Sequence, residues 1–178
     1  MNVEESWYSQ LRDQWRPAQV KLLMIAESAP DDGGSLENRR FFYSDRLAAD
    51  NLFRGVVSAM YGTTKDDLQQ SGKRPWLQKL QQDGFFLIDL APSPVNTLSR
   101  RNRRELLLQS VPGCVTRAQH LEPEGVVVVK ADLYPMLACP LRAAGLHVLQ
   151  DGPIAFPLGN TRADFVEGFD RARSRLTR

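Results

Sequence analysis

Apolar residues gather into four short runs along this chain, at 21–26 (KLLMIA), 84–90 (GFFLIDL), 125–130 (GVVVVK) and 146–150 (LHVLQ). Each has the length and flanks of a strand buried in a parallel sheet. Between these runs the apolar positions return at helical spacing. Leu47, Leu52, Phe53, Val56, Val57 and Met60 mark a helix over 46–61. Similar patterns predict helices over 3–16, 76–83 and 162–176, the last capped by Asn160 or Thr161. A helix over 103–121 is expected to break near Pro112-Gly113, and one over 133–144 to be shortened by Pro135 and Pro140.

Strands alternating with helices predict an α/β fold: a three-layer sandwich with a central four-stranded parallel sheet flanked by helices, forming one domain over 1–178. Sheets of this kind bind ligands beyond the carboxyl ends of their strands. That rule directs attention to 26–30 (AESAP), 89–96 (DLAPSPVN), 130–132 (KAD) and 154–160 (IAFPLGN).

Composition narrows the class. The chain has 178 residues, 42% apolar and 25% charged, enough to bury a core and too apolar for disorder. A net charge of +2 does not announce a nucleic-acid binder, but its distribution does more. Arg100, Arg101, Arg103 and Arg104 form a dense basic run, and Arg171, Arg173, Arg175 and Arg178 follow near the end, while Asp31, Asp32, Asp66 and Asp67 collect elsewhere. Such a run is either a solvated face or a contact for phosphates. The two cysteines, Cys114 and Cys139, have neither metal-ligand nor disulfide-framework spacing, which points to a reducing, cytoplasmic setting. The start MNVEESWYSQL has no signal-peptide apolar region, and no run approaches membrane-spanning length. No bound metal or cofactor is expected: His120 and His147 lie in no ligand or triad spacing, and Gly33-Gly34 lacks a GxGxxG or GKS/T pattern.

Candidate chemistry sits where the strands end. Glu27 leaves the first strand and Asp89 the second, so two carboxylates rise over one sheet edge, able to divide acid and base roles or to bind an amide or amine. Taken singly, Glu27 is equally a first solvated residue and Asp89 a backbone cap. Arg39-Arg40-Phe41-Phe42-Tyr43 places three aromatics in a loop, where one or two are expected to be partly exposed or to line a pocket as a stacking surface. The prolines of APSPVN stiffen the turn that leads to the arginine run, and Phe156-Pro157-Leu158-Gly159-Asn160 opens the last helix, whose N–H groups attract anions.

In their order and position these motifs resemble the uracil-DNA glycosylase-like superfamily, most nearly the branch with the iron–sulfur uracil-DNA glycosylases, over roughly residues 20–175. The resemblance implies a four-stranded parallel sheet between helices and a pocket for a base flipped out of DNA. Ala26-Glu27-Ser28-Ala29-Pro30 matches the family's first-strand motif, which implies that Glu27 handles the hydrolytic water beside Ser28. Phe41, with Phe42 as the alternative register, takes the position that stacks on the base. Asp89 stands where the family reads the uracil edge with an Asn, and Phe156-Pro157-Leu158 stands at its His-Pro-Ser motif, with Asn160 just beyond.

The chain departs from the family at three points. It has no histidine at position 156 to stabilise a leaving uracil anion, and no cysteines for an iron–sulfur cluster. An ionised Asp89 offers only acceptors, so it would repel a carbonyl and favour an exocyclic amine. Three readings follow: a DNA glycosylase acting on a flipped damaged base; an inactive base-, nucleotide- or DNA-binding protein of the same fold; or an unrelated small α/β hydrolase. The first two imply DNA as partner, with the arginines on phosphates, and a monomer is expected.

Overall fold

The structure is a computed structural model that describes residues 3–31, 33 and 40–176. Asp32, Gly34, Arg39 and Arg178, named above, lie outside the described residues. The elements run α1 (Val3–Gln14), β1 (Leu22–Ala26), α2 (Asn51–Tyr61), α3 (Lys65–Ser71), α4 (Arg74–Gln82), β2 (Phe85–Asp89), α5 (Arg100–His120), β3 (Gly125–Val128), α6 (Tyr134–Ala143) and α7 (Arg162–Arg173).

The fold is mixed α/β, with a parallel sheet flanked by helices. Among the described residues the sheet has three strands in the order β2-β1-β3. Every residue of the three strands is buried, as their unbroken apolar runs require. Helix α2 packs against α7 and α5 against α6. The α2–α7 approach depends on Gly55: a Cβ there would stand 2.8 Å from Pro157 and 2.9 Å from the Phe165 ring.

The expected fourth strand is a correction. The segment after α6 meets β3 only through isolated parallel bridges, Val126 with Val148 and Val129 with Ile154. Between them the chain bends away through Gly152 and Pro153, and proline cannot donate to a ladder. The buried Gln150 fills the gap with its side chain: Oε1 accepts from Val128 N at 2.6 Å and Nε2 donates to Val128 O at 2.9 Å. One amide thus satisfies both backbone groups that a strand would have paired. At the opposite edge the Tyr43 hydroxyl accepts from Leu87 N at 2.6 Å.

Two helices also differ from expectation. The α5 helix runs unbroken through Pro112, because that proline and the residue one turn back, Leu108, lie on the exposed side, where water serves the carbonyl that the proline leaves unpaired. The helix expected from position 46 begins at Asn51, where Asp50 caps it by accepting from Phe53 N at 3.0 Å. The short helix α3 has no counterpart in the sequence reading; Thr64 and Asp67 form its capping box.

Candidate active site

The strand register builds the site. Ala26 pairs with Asp89 and Ile25 with Val128, so the residues just beyond all three strands converge at one edge. There a cleft of about 870 Å³ opens, lined by Glu27, Ser28, Phe41, Phe42, Asp89, Arg103, Lys130, Phe156 and Asn160 among others.

Glu27 is the centre of its charge. Arg103 donates through Nε to Oε1, and Lys130 donates through Nζ to Oε2. Lys130 also lies 3.6 Å from Asp132. Burial pushes the Glu27 carboxyl up, but the hydrogen bonds and charges of Arg103 and Lys130 outweigh it and hold the group below its ordinary 4.5. The same contact raises the Arg103 guanidinium. Glu27 is therefore a fixed negative charge of weak basicity. Lys130 reaches it from a backbone with φ of 84°, in the left-handed region that residues with a Cβ seldom enter without support.

Asp89 closes the other side. Its Oδ2 receives Arg12 Nη2 from α1 at 2.7 Å, and Arg117 holds its backbone carbonyl at 2.8 Å. Burial pushes the Asp89 carboxyl above the usual range, and Arg12 and then Arg117 act against that rise.

The aromatic triplet meets its expectation as a pocket wall and not as an exposed surface. Phe41, Phe42 and Tyr43 are 3%, 5% and 2% exposed, so none is a partly exposed loop aromatic. Helix α1 covers the first of them, Phe41 meeting Tyr8 edge-on at 5.0 Å, while Phe42 stacks on Phe85 of β2 at 5.8 Å and Tyr43 packs on Phe86. Phe41 and Phe42 still form part of the cleft wall. The loop is pinned from behind by the buried Lys73, whose Nζ donates to Phe41 O at 3.0 Å and to Asp50 Oδ2 at 2.8 Å.

The remaining expected residues divide. Ser28, Phe156 and Asn160 line the cleft; Pro157 is buried beneath it against α2. The arginine run lies in the first turn of α5, with Arg100, Arg101 and Arg104 exposed and only Arg103 turned into the site. Three exposed cations there oppose the helix dipole, which favours negative groups at that end. Leu158, at the cleft rim, is 60% exposed. Sequence reasoning missed two residues of the site, Lys130 and Arg12. Lys130 was visible as the residue leaving the GVVVVK run; Arg12 had no signal, since nothing in the first helix's pattern ties it to a strand end.

No protein-family model matches the chain, and comparison with curated proteins finds no match. Among the described residues, no helix is long and apolar enough to cross a membrane.

Proposed function

We propose that the protein recognises a single base flipped from DNA and hydrolyses its N-glycosidic bond, acting in the cytoplasm as a monomer. One observation carries the proposal: the cleft at the carboxyl ends of the strands, roomy enough for a base with its sugar and phosphate and walled by aromatic and apolar groups, holds a carboxylate kept charged by two cations.

Breaking an N-glycosidic bond develops positive charge on the sugar and negative charge on the departing base. A charged Glu27 stabilises the first and orients a water through its remaining lone pairs; a low proton affinity suits that electrostatic role better than general-base work. Arg103 and Lys130 are cations positioned for the second, in a chain without a histidine at position 156. Phe41 offers a stacking wall and Asp89 an acceptor for the base edge, beside Ser28 and Asn160. Outside the cleft, Arg100, Arg101 and Arg104 suit phosphates, and at its rim Leu158 suits contact with a neighbouring base.

A second reading has its own support. Both Glu27 oxygens are occupied by cations, an arrangement equally suited to a protein that binds a base or nucleotide without turnover. Labelled oligonucleotides bearing uracil, hypoxanthine, xanthine or mismatched bases separate the two. Alkali-labile abasic sites that vanish in Glu27→Gln support hydrolysis. Binding without cleavage, retained in that variant, supports the second reading; no affinity at low salt for DNA overturns the first, and none for free nucleotides either overturns both.

A further inference from the structure

Arg12 joins two parts of the cleft without lining it. Its Nη2 lies 2.7 Å from Asp89 Oδ2, and its guanidinium carbon lies 5.4 Å from the centre of the Phe41 ring. The arginine therefore holds the edge-reading acid and backs the stacking wall at once. Oδ2 of Asp89 is committed to it, and among the described residues Oδ1 accepts no hydrogen bond, although Asp89 lines the cleft. An acid with one oxygen clamped and the other facing a cavity is oriented, and its protonation decides what it can read. Charged, it only accepts; protonated, it donates as well, like the amide of an asparagine.

Resting on the base-recognition reading above, we propose that Arg12 determines specificity: by clamping Asp89 in its charged form, it makes the cleft take bases that present an exocyclic amine and turn away those that present a carbonyl at that edge. The groups facing Asp89 are consistent with that division of labour. Arg12 from α1 and Arg117 from α5 favour its charge, while Glu27 opposes it. Tyr43 and Cys114, also close enough to interact, are kept neutral by burial. Arg117 bonds the backbone carbonyls of Asp89 and Leu90 and leaves the carboxylate to Arg12.

The test uses labelled strands of tetrahydrofuran abasic residues carrying one cytosine or one uracil, with binding followed by fluorescence anisotropy at low salt from about pH 5.5 to 8, where both bases stay neutral. The wild-type protein should prefer cytosine by roughly tenfold at the upper end of this range, as one well-made base contact discriminates. That preference should fade as Asp89 protonates. In Arg12→Met the fading should begin at a higher pH, and Arg12→Lys should restore the wild-type profile, which a purely structural loss would not. Asp89→Asn should prefer uracil at every pH; should Arg12→Met fail to fold, this variant decides alone, and a profile like the wild type's overturns the proposal. Equal pH profiles in the wild type and Arg12→Met also overturn it, as does wild-type binding without preference at pH 8. If the wild type binds neither strand, base recognition itself falls.

Discussion

Lys130 and Glu27 form an ion pair across the ends of adjacent strands, although 103 residues separate them in the chain. The contact is made by a lysine whose φ is 84°. Backbone strain of this kind persists only where the surroundings hold it, and here they include the Lys130 N–H bonded to Ile154 O at 3.0 Å.

Lys130→Ala and Lys130→Gly both delete the ion pair, but only glycine relieves the backbone. We expect the glycine variant to be the more stable by about 1 kcal/mol. Urea unfolding of the two proteins side by side measures the difference, and an alanine variant of equal stability would show that the backbone carries no strain.

Glu27 gives a pH signature. Its carboxyl titrates lower in the folded protein than the ordinary 4.5, so the unfolded chain binds its proton first on acidification. Its stabilisation is complete above that value, declines as the pH falls below it, and is gone below the folded-state midpoint. Glu27→Gln should lack this component and lose about 1–2 kcal/mol near neutrality, since Arg103 and Lys130 then lose the carboxylate between them and keep only the exposed Asp132 nearby. Denaturant midpoints from pH 7 down to about pH 3 for both proteins should converge toward the acid end.

Gly55→Ala should be costly for its size. The new methyl meets Pro157 and Phe165 at less than 3 Å, and neither is the tip of a flexible side chain. A loss of about 1–3 kcal/mol is expected from overpacking, with the 155–160 segment pushed toward the cleft. A melting temperature unchanged from the wild type would mean that α2 and α7 can part without penalty.

Arg100, Arg101 and Arg104 are exposed and outside the cleft, so replacing all three with alanine should leave the fold unchanged. DNA affinity should fall at every sequence alike. The slope of log affinity against log salt should drop by about 0.7–0.9 for each phosphate that is no longer neutralised. An unaltered slope would assign the run to a solvated helix end.

Legibility in the sequence followed the range of the interaction. The runs at 21–26, 84–90 and 125–130 are strands because burial on both faces leaves a local, continuous apolar mark. The run at 146–150 bears the same mark, yet the bend at Gly152-Pro153 and the Gln150 side chain replace the ladder there. Glu27 and Asp89 were readable because strand ends are readable. Their pairings were not: Arg12 is brought in by the docking of α1, and Lys130, although it leaves a legible strand, meets Glu27 only through the sheet register. The burial of the aromatic triplet was illegible for a similar reason, since a loop is buried only by what folds over it, and Tyr8 lies 33 positions before Phe41 in the chain.

The side chains at the two borders of the sheet bear on self-association. Tyr43 occupies the outward N–H of Leu87 on β2, and Gln150 occupies both backbone groups of Val128 on β3. An incoming strand from another molecule would have to displace a phenol on one side or an amide on the other before forming its first hydrogen bond. Slow deamidation of Gln150 would weaken this protection at one position, because the resulting carboxylate would face the Val128 carbonyl without a donor to offer it, while the bridges at Val126 and Val129 still cover the border on either side.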